Sequence, residues 1–404
     1  MNSGQQGKNW DNYERRTRSP MTTRISKVMA SALAIVLIAV ITISGLGGSV
    51  PASAAILDNN HITGETGGAE SLPQGAAVRN SDQEPASVQI TLKGKPLKLQ
   101  GIQGQQDVLV PLELIERGLK VKVKYDKGSN RYFLRRDHVV VQLTPKEDGA
   151  WAVVNGSTQV LPYEWKELNG QPYVSAKVLT DHLGFTSTYD ASKQTLDLVP
   201  HKLNKIRVGT RVVDKSIPEA MIKVEYPQVS GLKNKTAERK INSVLQSKTD
   251  EFIKQSLQET KAGPSPNGEP YQFLGNYTVT FNREGLLSIL LQYYSYTGGA
   301  HGNPVREGLT FRLSDGKLLT LDEVLKDNPD YRNIVDPAIA KQLEATEGYF
   351  GGFKTIGKNP SYYLKNDGVV IFLPLYEYLP YVNGFPEFYF SFSELGVKPS
   401  KIAK

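Results

Sequence analysis

The pattern of apolar positions changes along the chain and divides it into stretches. Val28 to Gly48 reads VMASALAIVLIAVITISGLGG, an apolar run without a charge. Residues 56–89 show no apolar period and are rich in Gly, Ser, Asn, Glu and Pro, which predicts a flexible spacer. Between 90 and 200, short strand-like runs alternate with two brief segments of helical spacing. Leu112, Ile115 and Leu119 mark the first, and Val178, Leu179 and Leu183 the second. From 205 onward a long helix is flanked by hairpins. Ile222–Val229 reads as a strand closed by Pro227. Ile241, Val244, Leu245, Phe252, Ile253 and Leu257 then fall on one helical face, ended by Pro264 and Pro266. Tyr271–Asn282 and Leu286–Tyr296 flank Arg283-Glu284-Gly285. Leu309–Leu313 and Lys317–Leu321 flank Ser314-Asp315-Gly316. Tyr362–Leu364 and Val369–Leu373 flank Asn366-Asp367-Gly368. Thr320 with Glu323 forms a capping box opening a short helix, and a longer helix spans Pro329 to Thr346 with an interruption near Pro337. Glu387–Phe392 is the last strand. The expected class is α+β, with helices packed on an antiparallel sheet.

The middle stretch repeats itself. Val110-Pro-Leu-Glu-Leu-Ile-Glu-Arg-Gly-Leu-Lys-Val-Lys-Val-Lys-Tyr-Asp126 aligns without a gap to Val174-Ser-Ala-Lys-Val-Leu-Thr-Asp-His-Leu-Gly-Phe-Thr-Ser-Thr-Tyr-Asp190. Each half predicts strand, short helix, strand, turn and strand. Val110-Pro111-Leu112 before the first helix and Gly184 before the return strand of the second make residues 90–200 resemble the copper amine oxidase N-terminal-like domain, a stalk module of Gram-positive surfaces. The copper and quinone chemistry behind that name belongs to another domain of those oxidases. The resemblance implies a spacer or a weak wall-binding module. His138 and His182 are lone histidines, and copper sites need several converging imidazoles, so no metal is expected.

A second resemblance rests on Leu287–Gly302 with its Tyr-Thr-Gly-Gly-Ala-His-Gly loop, on Asp315–Leu321, on Tyr362–Phe372, and on Pro374-Leu-Tyr-Glu377 with Gly384. Together these are similar to the paired extracytoplasmic domains of the RsiV/PdaC type. Such pairs occur in lysozyme-sensing anti-sigma factors and beside the catalytic domain of some peptidoglycan deacetylases. The usual Pro-Tyr-Glu is one residue longer here. The expected limits are 205–396, with a helical part at 218–282 and a second part at 283–396.

Charge placement changes the picture of the ends. The chain has 404 residues, a formal charge of +7 and no cysteine. Residues 1–27 carry +4 from Lys8, Arg15, Arg16, Arg18, Arg24 and Lys27 against Asp11 and Glu14, and the spacer carries −4. A basic flank ahead of an apolar run predicts that residues 1–55 direct export, with a membrane helix near 28–48. Ser49-Val-Pro-Ala-Ser-Ala-Ala55 contains an A-x-A pattern, so cleavage beside Ala54 and Ala55 and a retained membrane anchor both stay open. The expected locations are accordingly membrane-anchored, or secreted and wall-associated. Residues from 90 onward hold a diffuse +7, and only Lys120, Lys122 and Lys124 form a compact stripe, so no nucleic-acid partner is expected. Lack of Cys excludes disulfides and thiol chemistry.

Candidate binding residues are Tyr293, Tyr294, Tyr296, Gly298, Gly299, His301, Tyr376, Tyr378 and Tyr381. The glycines permit tight backbone turns, and tyrosines form interface anchors suited to sugar rings. Alternation along the strand separates Tyr294 from Tyr293, one face being core. His301 has two readings, a ligand contact or a bond to its own backbone. No H-E-x-x-H, G-x-S-x-G or P-loop occurs, S-x-x-K at Ser230–Lys233 and Ser314–Lys317 lacks partner motifs, and the chain ends before any Asp/His-bearing deacetylase domain. The expectation is therefore no catalytic residues, no cofactor, and a non-enzymatic surface protein binding wall glycan or an envelope protein, a lysozyme-like one among the candidates. A membrane anti-sigma factor-like sensor stands second: residues 1–27 offer only Trp10, Tyr13, Met21 and Ile25 to bury a sigma factor. An accessory subunit of an envelope hydrolase stands third.

Overall fold

The computed structural model describes residues 85–403 apart from Pro264 and Asn267. The expected export helix, the cleavage position at Ala54 and Ala55, and nearly all of the spacer lie outside the described residues. Among the described residues no helix is long and apolar enough to cross a membrane.

The half-repeats appear as two copies of one motif. Val108–Pro111, the helix Leu112–Arg117, Lys122–Asp126 and Arg131–Arg136 form the first, and Gln171–Ser175, the helix Lys177–His182, Phe185–Asp190 and Thr195–Pro200 the second. Their equivalent strands pair with each other, antiparallel, with Val110 opposite Val174. The repeat axis therefore runs through the sheet itself. Both helices bury one stripe, Leu112, Leu114 and Ile115 in the first and Val178 and Leu179 in the second, into a single core with Val88, Leu134, Val141 and Leu198. Between the copies, Val139–Lys146, Gly149–Val154 and Ser157–Thr158 extend the first hairpin into a five-stranded meander.

The remainder is built on a six-stranded sheet ordered Arg207–Asp214, Ala220–Ser230, Tyr271–Arg283, Leu286–Tyr296, Asn303–Arg312 and Leu318–Leu319. The sequence reading of an antiparallel sheet needs correction here. Ala220–Ser230 and Tyr271–Arg283 run parallel, from Ala220 opposite Tyr271 to Val224 opposite Gly275. The cause is the helix Lys235–Glu259 between them, whose length returns the chain to its starting end as a crossover must. Pro227 does not close its strand either. It stays inside, opposite Thr210, because beyond Val224 the parallel ladder has ended and a missing N–H costs little there.

Leu286–Tyr296 is buried on both faces. Leu287, Ile289, Leu291 and Tyr293 face the long helix, and Leu286 and Leu290 face a second layer. That layer is a three-stranded antiparallel sheet of Ser361–Lys365, Gly368–Phe372 and Glu387–Ser391, with helices Leu321–Val324, Arg332–Glu344 and Pro399–Ile402 beside it. The layers meet at a polar point. Ser288 Oγ lies 3.0 Å from Thr310 Oγ1 and accepts from the Leu364 amide at 3.0 Å. Gly308 is required beside it, since a Cβ there would stand 1.9 Å from the Tyr362 carbonyl. The capping box is formed: Thr320 Oγ1 accepts from Glu323 N at 3.3 Å, and Glu323 Oε2 accepts from Thr320 N at 3.1 Å.

The two halves of the molecule share a built seam. Past Gly275 the strand Tyr271–Arg283 parts from its parallel neighbour, which opens a gap beside Tyr277. The Asn155–Gln159 turn fills the gap. Ser157 Oγ donates to Tyr277 O at 2.7 Å and accepts from Tyr277 N at 3.2 Å, and Thr158 N donates to Glu225 Oε2 at 2.7 Å. Thr210 Oγ1 donates to Asn155 O at 2.9 Å. A second contact joins Asp181 to Lys365 at 3.1 Å, with Tyr163 OH 2.6 Å from His182 Nε2. Burial alone would raise the Asp181 carboxyl, but Lys365 and His182 bring it below the ordinary range. Burial holds His182 at about 4, against the pull of Asp181.

Two outcomes follow from the seam. Ser157→Ala removes both Ser157 bonds to the buried Tyr277 main chain, and is expected to lower stability by about 1–3 kcal/mol and to speed exchange of the Tyr277 amide, as read by urea unfolding and hydrogen exchange. His182 is neutral when folded and titrates near 6.5 when unfolded, so its contribution is intact above that pH. As pH falls from 6.5 to 4 the unfolded state gains a proton that the folded state refuses, and stability falls by up to ~3 kcal/mol. His182→Gln should flatten the stability profile in this window.

Candidate functional site

Strand alternation sorts the tyrosines before any loop is considered. Tyr293 is on the helix side, stacked on Phe252 with ring centroids 4.4 Å apart. It is a core residue rather than part of a recognition surface, because its row is the one the long helix covers. Tyr294 and Tyr296 share the opposite row, partly exposed, where the strand outruns the second layer. Burial raises the Tyr294 phenol, with smaller contributions from Tyr381 and Tyr296.

The loop that follows folds back over Tyr294. Gly302 lies flat on that ring, and a Cβ would meet it at 2.2 Å, so only glycine fits. Gly298 has φ +88°, and a Cβ there would also meet Ser265 Oγ at 2.5 Å; Gly299 is open. His301 is thereby carried outward. Its Nδ1–H donates to Gly302 O at 2.9 Å, and its Nε2 accepts from Tyr376 OH at 2.9 Å. One nitrogen thus holds the backbone, at the carbonyl of the next residue, while the residue stays exposed.

Tyr376 and Tyr381 arrive from the loop after Gly368–Phe372. Tyr381 stacks on His301 with centroids 4.0 Å apart at 22°, and its hydroxyl donates to Gly302 O at 3.0 Å. Tyr376 is half exposed and has φ +64°, an uncommon conformation for a bulky residue. It sits in the stretch that is one residue longer than the usual motif. Three rings therefore form one platform, with His301 and Tyr376 exposed and Tyr381 half-buried. Tyr378 is not part of it. It turns inward against Phe353, at 5.4 Å edge to face, because its neighbours Leu379 and Phe353 belong to the second-layer core.

Three family models match this chain. Residues 90–198 match the copper amine oxidase N-terminal domain, 215–304 match the model described as Deacetylase PdaC, and 322–393 match a protein family of unknown function, DUF3298. This is the architecture the sequence resembled. A curated relative, the peptidoglycan-N-acetylmuramic acid deacetylase PdaC of Bacillus subtilis, is 24% identical over 157 residues, which cover 37% of this chain and 31% of that protein. The match thus spans about a third of the relative's length. Solved structures of DUF3298 proteins from Bacteroides fragilis and Pseudomonas aeruginosa are each 16% identical over 50% of this chain, covering 98% and 96% of theirs, with TM-scores of 0.38 and 0.31.

These matches correct one expectation. The reading of the chain as no enzyme is overturned by the match of 215–304 to a deacetylase model and by the deacetylase relative. That reading rested on missing motifs and on where the chain ends, and neither excludes activity. Among the described residues no three His, Asp or Glu side chains gather as a metal site.

The platform straddles the matched regions. His301 and Gly302 fall in the PdaC-matching stretch, and Tyr376 and Tyr381 in the DUF3298-matching one. Tyr376→Phe removes the donor to His301 Nε2. The expected result is a cost of about 1 kcal/mol and a mixed imidazole tautomer in place of the single Nδ1–H form, read by ¹⁵N shifts of the ring. An unchanged ring spectrum would show that the bond does not hold His301.

Proposed function

We propose that this chain is an exported, peptidoglycan-associated protein, and that the His301–Tyr376–Tyr381 platform binds the glycan of the wall. The observation that carries this reading is the platform itself: an exposed imidazole stacked on a half-buried phenol, with the exposed Tyr376 beside it, fixed by hydrogen bonds between two separately matched regions. Flat aromatic faces suit the apolar face of a sugar ring. The phenol oxygens of Tyr376 and Tyr381 can accept from sugar hydroxyls and acetamide N–H groups, as neutral hydrogen bonds at the edge of such a site. The match to a deacetylase of N-acetylmuramic acid in peptidoglycan supports the same ligand class. It also makes deacetylation of that polymer a function to be assayed. The diffuse positive charge of the folded part favours an anionic envelope without defining a site.

Retention of the full chain on purified sacculi is the direct test, with acetate release followed in the same samples. Tyr381→Ala and His301→Ala are expected to lower retention about tenfold each, in the range of a buried aromatic anchor. Retention unchanged in both variants would remove the platform from glycan binding. Platform-dependent capture of lysozyme with no retention on sacculi would reassign it to a protein ligand.

A further inference from the structure

The loop Thr346–Phe353, met above only through Phe353, is fastened to the platform loop. Phe350 N donates to Tyr378 O at 2.9 Å, and a Cβ on Gly348 would stand 3.1 Å from Pro380, next to Tyr381. Its inner side is anchored: Phe353 N donates to Tyr349 OH at 2.9 Å, and the Phe353 ring meets Tyr378. Its outer side carries Phe350, 59% exposed. Gly351 and Gly352 follow at φ +84° and +86°, with nothing within 4 Å of where a Cβ would stand. A single exposed apolar residue needs no explanation. This one is held outward on a stretch with three left-handed glycines, bonded to the main chain two residues from Tyr376. It costs apolar hydration without serving any core.

We infer that Phe350 is a second recognition ring which extends the His301–Tyr376–Tyr381 platform, so that the site takes a linear oligosaccharide of N-acetylated amino sugars spanning several residues. This rests on the glycan reading of the platform. A single pyranose covers one aromatic ring or a stacked pair, and a further ring on an adjoining loop contributes only when the ligand is long enough to reach it. The glycine-rich hinge lets Phe350 settle on the ligand with little backbone strain. The surface offers uncharged rings and phenol oxygens rather than an arginine fork, which matches an acetamido sugar better than a carboxylate or phosphate group.

The test is calorimetric titration of the full chain with N-acetylglucosamine and with its β-1,4-linked tetramer. Wild type is expected to bind the tetramer at least about tenfold more tightly than the monosaccharide. Phe350→Ala should lose about five- to tenfold on the tetramer and nothing on the monosaccharide, whereas Tyr381→Ala should lose on both. Phe350 is surface-exposed, so its variant should keep the wild-type unfolding midpoint. Unchanged tetramer affinity in Phe350→Ala, with Tyr381→Ala weakened, overturns the extension and leaves the platform reading standing. No binding of either sugar by wild type, or no effect of Tyr381→Ala, overturns both. Phe350-dependent binding of lysozyme without tetramer binding overturns it in favour of a protein partner.

Discussion

The architecture depends on how one stretch of main chain is paired. Ala220–Ser230 and Tyr271–Arg283 run together for five residue pairs and then part. A buried Tyr277 N–H and C=O facing a gap would cost more than most single contacts return. Ser157, fully buried, supplies one hydroxyl that both donates to and accepts from that residue, as a ladder neighbour would. Gln159 reinforces it by accepting from Thr278 Oγ1 at 2.7 Å. The region that the sequence presents as a separate stalk thus completes the sheet of the next one. A spacer that merely held its neighbour away from a surface would not need to finish its neighbour's hydrogen bonds.

The same sheet carries the site at its far end. Tyr293 and Tyr294 are adjacent in sequence and opposite in fate, one locked under the long helix and the other lying beneath Gly302. The rigid side therefore supports the exposed side directly. Because the loops that complete the platform come from different layers, the contact at Ser288, Thr310 and Gly308 sets their separation. A shift between the layers would move Tyr376 relative to His301 and break the bond between them.

Much of this was legible from residues. The half-repeat appears in the sheet as Val110 opposite Val174, equivalent positions meeting as partners. The long helix, the capping box and the Glu284-Gly285 turn, with both residues at positive φ, follow from local rules that tertiary context did not override. What escaped was non-local. Pro227 read as a strand end, since sequence does not say which side of a strand has lost its neighbour. Tyr378 read like Tyr376 because both stand in a proline-flanked loop, and only packing against Phe353 separates them. Phe350 offered one signal, an aromatic beside two glycines, but its attachment to the Tyr378 main chain is a contact between loops that no spacing encodes. The Ser157 seam is likewise a contact across more than a hundred residues made by an ordinary turn sequence.

The strain at Tyr376 is best understood through His301. A bulky residue at φ +64° persists only when its surroundings outweigh the cost, of order 1–3 kcal/mol. Here the compensation is a hydrogen bond to Nε2, in which Tyr376 is the donor because Nδ1–H is already committed to Gly302 O and so fixes the tautomer. Gly302 in turn can accept that proton, and the one from Tyr381, because its missing Cβ lets it rest on Tyr294. The chain of causes runs from a glycine to a tautomer to a strained tyrosine, each step needing the one before. A core would not require such a chain, since burial alone holds core rings in place. An exposed platform has no burial to rely on, and must order its rings before a ligand arrives if binding is not to spend its gain on ordering them.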